Sequence, residues 1–271
     1  MPLLWRVRGA SGATVWLFGT IHDVGADEVP GAAWRELDGA ASFVSELGDD
    51  EPDPRRFTEL ARLPWGQVLD QQLPSDDWWE LVTVLASVMK EDDLRHARPW
   101  FALIRLRAYM LHAPRPSMDT ALVERARRQG IAIGRLESWE DQLTALDTSI
   151  TAAALSNALH ARNAYACELA VLVAAYRAGD LTMLTHLLVD PLQGTALLVE
   201  RNRRWLPQIE RHLTLGALGA LGALGPAGGP SATGPGGTAF VAVGLGHLLG
   251  PAGLLAALAG AGYSVERRAA D

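Results

Sequence analysis

Cysteine is almost missing from this chain. Cys167 is the only one in 271 residues, so no intrachain disulfide forms and a cysteine-based zinc cluster is excluded. Its place in a helical run, Ala164 to Ala178, reads as a buried structural thiol. A membrane-length apolar run is missing too: no stretch reaches the roughly 18 to 20 residues needed to span a bilayer. Leu213 to Gly229 is apolar, but Pro226 and glycines at 216, 219, 222, 225, 228 and 229 break it. Positive charge is not in excess. With 24 basic against 31 acidic side chains the formal net charge is −7, which argues against a surface that tracks nucleic-acid phosphates. The start, Met1 to Arg6, lacks a basic region followed by an apolar stretch, and a cytoplasmic protein is expected. Standard catalytic signatures are absent as well: there is no HExxH, no P-loop, no GxSxG, and no GxGxxG between a strand and a helix. The run Gly244 to Gly250 places its third glycine one residue late for a dinucleotide fingerprint.

What is present is an ordinary globular composition, 49% hydrophobic and 20% charged, with two copies of a short pattern at opposite ends. GTIH spans Gly19 to His22 and GLGH spans Gly244 to His247. Each follows a β-forming run, Ala13 to Phe18 and Thr238 to Val243, rich in β-branched and aromatic residues. Glycine there permits a sharp turn, and the histidine three residues on is presented at the carboxyl end of the strand, where open α/β sheets bind ligands. His22 and His247 are thereby candidates to meet across one crevice, as metal ligands or as an acid/base pair. His96, His112, His160, His186 and His212 lack such context and read as ordinary surface or core residues.

The remaining chain follows strand–helix–strand grammar. Leu3 to Arg8 and Ala13 to Phe18 form a hairpin around Gly9-Ala10-Ser11-Gly12. A helix from Ala32 to Ala40 leads to a strand from Ser42 to Leu47, and a further strand runs from Ile131 to Glu137. Residues 55–212 are otherwise mostly helical, 213–237 form a Gly/Ala/Pro-rich linker, and a helix from Leu248 to Ala259 precedes a last strand, Tyr263 to Arg267. The expected fold is a single α/β domain over 1–271, with one mixed central sheet assembled from N-terminal, middle and C-terminal strands and large helical insertions. The nine tryptophans read as core and interface residues.

Two carboxylates stand near strand ends, Glu46 and Glu137. A charge there needs a partner: solvent, a nearby arginine, or a site in which Glu46 serves as metal ligand or general base. Three arginines in four positions, Arg201, Arg203 and Arg204 around Asn202, suit a solvated helix face, while Arg201 also has the donors to grip a carbonyl, carboxylate or oxyanion. Asp119, opening a helix at Met118, reads as an N-terminal dipole partner.

These segments resemble the TraB/GumN family, related to the TIKI proteases and more remotely to erythromycin esterase and ChaN-like proteins. The resemblance rests on LWRV, WLFGTIHDVG, SFVSEL, MDTALVERARRQG, IGRLESWEDQL, LLVERNRRW and FVAVGLGHLLGPAGLLAALAGAGYSVERR, in that order along nearly the whole chain. It implies an α/β fold with both GxxH motifs, a strand-end glutamate and an arginine in one cleft, and in the TIKI branch a divalent-metal-dependent peptidase. Carried onto this chain, His22, His247 and Glu46 would hold a manganese, cobalt or zinc ion, with Arg201 and Asn202 as polar helpers and Glu137 as a further member. A peptide or small-molecule substrate follows from that resemblance. Metal-free ester hydrolysis, with a histidine base oriented by Glu46, and ligand binding without turnover are the alternatives.

Overall fold

The most apolar runs of the chain pair with one another because both of their faces need covering. In the computed structural model, which describes residues 2–10, 12–111, 116–192, 195–216 and 237–269, these runs become strands: Leu4–Arg8 (β1), Thr14–Thr20 (β2), Ser42–Ser45 (β3), Ala132–Arg135 (β4), Ala239–Gly244 (β5) and Ser264–Arg267 (β6). They form a six-stranded sheet of order β4-β3-β5-β2-β1-β6. Strands β2, β5, β3 and β4 run parallel, and β1 is antiparallel to both of its neighbours. The central β2, β3 and β5 are buried almost throughout, as parallel strands covered on both faces must be. The edge strands β4 and β6 are partly exposed. The expected mixed α/β sheet, drawn from both ends and the middle of the chain, is therefore present.

Register decides where the strands end. Thr20 of β2 stands opposite Gly244 of β5, Ser45 of β3 opposite Ala242 of β5, and Ser45 opposite Arg135 of β4. The carboxyl ends of four adjacent parallel strands thus share one edge. Phe18, Phe43 and Phe240 pack ring to ring beneath it, with centroids 6.0 and 6.2 Å apart.

The chain divides into two compact units. The sheet belongs to the unit Met1–Asp50, Arg115–Ser138, Leu172–Asp271, together with the helices Gly31–Asp38, Met118–Gln129, Leu181–Leu188 and Arg201–Leu215. Parts of the expected helical insertion, around Met118–Gln129 and from Leu172 onward, therefore pack with the sheet. The second unit, Glu51–Pro114 and Trp139–Val171, is helical. Its core joins leucines at 81, 85, 94, 103, 106, 155 and 159 to Trp78. There Asp77 accepts hydrogen bonds from Ser156 and from His160, the latter at 2.8 Å. Among the described residues no helix is long and apolar enough to cross a membrane.

Several local expectations change. Cys167 is exposed, because the helix Tyr165–Ala178 buries only Ala175 and Tyr176. Trp65 and Trp79 are 102% and 55% exposed, so the tryptophans are not uniformly core residues. The single helix expected from Leu248 to Ala259 is two, Leu245–Leu248 and Leu254–Gly260, separated at Gly250-Pro251, where Gly250 has a φ of 78° and the proline stops continuation. The helix Arg201–Leu215 enters the expected linker, and residues 217–236 of that linker lie outside the described residues.

The two motif glycines also have a different reason from the one expected. Gly19 lies within β2, and neither Gly19 nor Gly244 adopts a positive φ. A methyl group on Gly19 would stand 2.4 Å from Leu245 Cδ1 and 3.1 Å from its Cβ. The glycine is a close-approach position, where the first motif lets the second pack against it. Gly19→Ala is expected to cost about 1–3 kcal/mol through overpacking, and Leu245→Ala in the same chain to return part of that loss. Urea unfolding of both single variants and the double variant checks this; strictly additive losses would refute the packing account.

Candidate active site

Each element along the shared strand edge delivers one polar side chain. His22 follows β2 by two residues, Glu46 is next after β3, Glu137 lies two residues past β4, and His247 sits in the short helix after β5. Arg201 and Asn202 come from the opening of the helix Arg201–Leu215, after a π-helical stretch, Ala196–Glu200. That helix buries positions 201, 202, 205, 209, 212 and 213, a stripe of helical period, which turns Arg201 inward and leaves Arg203 and Arg204 toward solvent. All six side chains singled out from the sequence are thus brought to one edge of the sheet.

Arg201 is the hub. Its Nε donates to both oxygens of Glu137 at 3.1 and 3.2 Å, and its Nη2 donates to Glu137 Oε1 at 2.6 Å and to Glu46 Oε2 at 2.5 Å. Nη1 donates to the Leu197 carbonyl at 3.4 Å and to His247 Nε2 at 3.0 Å. The guanidinium has five N–H groups, and this set engages all of them. Arg201 therefore has no donor left for a substrate oxyanion and acts as a positioning residue. The ring of Trp205 lies 4.5 Å from its Cζ and 4.4 Å, centroid to centroid, from His247, adding cation–π attraction within a buried cluster.

The tautomer of His247 follows from Asn202. The amide Nδ2 donates to the carbonyls of His247 and Ala252 at 3.2 and 3.0 Å, so Oδ1 faces His247 Nδ1 at 2.8 Å and accepts its proton. The lone pair on Nε2 then accepts from Arg201. Burial, with the adjacent guanidinium, lowers the pKa of His247 to about 3, and the ring is neutral at ordinary pH.

His22 is arranged differently. Its Nδ1 faces Asp119 Oδ2 at 2.9 Å, while Asp119 Oδ1 accepts from Thr20 Oγ1 at 2.7 Å. The Asp119 charge, with its hydrogen bond, raises the pKa of His22 to about 9. The ring is 63% exposed, so solvent screens part of that pull. Asp119 is the site residue that sequence reading assigned elsewhere, to a helix dipole. Its partners lie 97 and 99 residues away in the chain, and no local signal connects them.

Gly244 forms the floor. Its N–H donates to Glu46 Oε1 at 2.8 Å. A methyl group on it would stand 3.3 Å from that oxygen, 3.5 Å from His22 Nε2 and 3.6 Å from His247 Cδ2. The two motif histidines and Glu46 thus face one point. Burial pushes the Glu46 carboxyl up, but Arg201, His247 and His22 together hold it down to about 2. For Glu137 burial prevails, and its pKa is raised despite Arg201.

A divalent cation is a partial fit. His22 Nε2 and Glu46 Oε1 both approach the point above Gly244, and both imidazoles are anchored through Nδ1, the arrangement of metal-binding histidines. His247 Nε2, however, is engaged by Arg201, so the full set of His22, His247 and Glu46 assembles only if the guanidinium yields. Among the described residues no three His, Cys, Asp or Glu side chains are grouped to hold an ion as they stand.

The remaining histidines are locally tied: His96 to the Asp92 carbonyl at 2.8 Å and His186 to Asp190 at 3.1 Å. His212 is buried, and His112 lies outside the described residues.

Two consequences are measurable. Arg201→Met leaves two buried carboxylates without their cation and is expected to cost about 3–5 kcal/mol in urea unfolding at neutral pH; an unchanged midpoint would remove Arg201 as the hub. Between pH 6.5 and about 3 the unfolded chain binds a proton at His247 that the folded chain refuses, so stability falls as pH falls through that window. Glu46 adds a loss of the same sign from pH 4.5 toward about 2. His247→Gln should therefore lose about 2 kcal/mol less than the parent on going from pH 6.5 to 4.5. Parallel pH series would instead show that the ring titrates normally.

The family model described as TraB/PrgY/gumN family matches residues 3–267, nearly the whole chain. No curated protein and no solved structure matches the chain.

Proposed function

We propose, from the premise that the chain belongs to the TraB/PrgY/gumN family, that it is a hydrolase of amide or ester bonds whose water is activated between His22 and Glu46. The observation that carries this reading is the convergence of His22 Nε2 and Glu46 Oε1 on the point above Gly244, with His22 Nδ1 held by Asp119. Neutral His22 takes a proton from water at Nε2 as the water oxygen bonds to the scissile carbonyl carbon. The Asp119 carboxylate stabilises the imidazolium that results, which returns the proton to the departing nitrogen or oxygen as its bond to that carbon breaks. Glu46, ionised under the influence of Arg201, orients the water through Oε1. Arg201 and Asn202 act through others: one fixes Glu46, Glu137 and His247, and the other fixes the tautomer of His247.

A second reading places a manganese, cobalt or zinc ion at His22 and Glu46, with His247 as third ligand once Arg201 gives way. It is favoured by the matched anchoring of both imidazoles through Nδ1. Such an ion would supply a water of lowered pKa and polarise the scissile carbonyl. A peptide substrate belongs with this reading.

Elemental analysis of untagged protein, before and after exposure to each ion, separates the two. Near-stoichiometric metal lost in both His22→Ala and Glu46→Gln supports the second reading. Activity on fluorogenic peptides or p-nitrophenyl esters that survives exhaustive EDTA supports the first. His22→Gln is expected to lower such activity about 10²–10⁴-fold. Because Asp119 raises the pKa of His22, base catalysis rises with pH toward about 9, and Asp119→Asn moves that rise to lower pH. Activity that is unmoved by His22→Gln refutes both readings.

A further inference from the structure

The helical unit carries a separate groove of about 490 Å³, within the range of small-molecule sites. We propose that it binds a free anionic amphiphile, an apolar chain ending in a carboxylate. One wall is aromatic and fixed: Phe57 and Phe101 line the groove, their rings 6.0 Å apart and 6.0 and 5.7 Å from buried Trp100. Ala61, Met89 and Ala97 extend the apolar lining.

The charges on the rim select the head group. Arg62, Lys90 and Arg105 face the groove with Asp93 as the sole acid lining it, an excess of cations on a chain of net charge −7. Arg62 is 3.9 Å from Asp93. Arg105 donates to the Val88 carbonyl at 2.9 Å, which braces the segment that ends in Lys90. Lys90 is the only lysine of the chain, and its ammonium has no ion-pair or hydrogen-bond partner among the described residues. The neighbouring acids do not cancel it: Glu91 pairs with Arg95 at 3.0 Å, and neither Glu91 nor Asp92 lines the groove. An apolar trough with an unpaired cation at its mouth matches a tail with one negative end.

Calorimetric titration of the whole protein with decanoate, kept below its aggregation concentration, tests this. Decanoate is expected to bind at one site, decyltrimethylammonium about fivefold or more weakly, and Lys90→Gln to weaken decanoate about fivefold, the reach of one exposed ion pair. Ala86→Trp, which fills the groove from its exposed rim, is expected to abolish binding while circular dichroism and thermal midpoint stay those of the parent. Should Ala86→Trp not fold, Thr58→Trp on the facing rim replaces it. Absence of binding, equal affinity for the two head groups, or affinity indifferent to both substitutions overturns the proposal.

Discussion

One buried guanidinium holds this site together. Arg201 lies in a pocket from which water is excluded, and five N–H groups there must each find an acceptor. Glu137 and Glu46 supply the negative charge, the Leu197 carbonyl supplies a dipole, and His247 supplies a lone pair. Removing any acceptor exposes a buried donor, so the cluster specifies the positions of elements that come from widely separated parts of the chain. Such buried pairs add little net stability against an apolar alternative. Their effect is to fix which side chain stands where.

The same cluster divides labour between two histidines that look alike in sequence. His247, buried against Trp205 and next to a permanent cation, is held neutral with its lone pair occupied. His22, exposed and paired with Asp119, is held basic with Nε2 turned toward the point above Gly244. Two copies of one motif thus differ in environment, and environment sets the proton affinity of each. Glu46 and Glu137 diverge for a comparable reason. Both touch Arg201, but Glu46 also faces two imidazoles and accepts a backbone N–H, whereas for Glu137 burial prevails.

Much of the architecture was legible in the chain because the relevant patterns are local. Unbroken apolar, β-branched runs mark strands that need cover on both faces, and the matched motifs at their ends mark the edge where the polar side chains gather. Glu46 and Glu137 stood out because carboxylates are costly at the ends of such runs. Other features were not legible. Asp119 sits in a first helical turn like many acids, and only its approach to Thr20 and His22 gives it another partner. Cys167 lies in a run as apolar as a core helix, yet its face meets solvent. The motif glycines were read as turns when the relevant fact was a leucine side chain 2.4 Å from the missing Cβ of Gly19.

Sequence by itself determined the mixed α/β sheet, the six polar side chains drawn to one of its edges, and membership of a family through motifs spread along nearly the whole chain. The sheet follows from composition, periodicity and spacing, which are properties of consecutive residues; the gathering of all six side chains was implied by the resemblance of the motifs to that family. Tertiary structure alone decided which partners each imidazole nitrogen meets, that Arg201 anchors the site with every donor engaged, and that Asp119 belongs to it. Those outcomes depend on distances of a few ångströms between residues tens to hundreds of positions apart, and on which of them water can reach; neither quantity is written in the order of the residues.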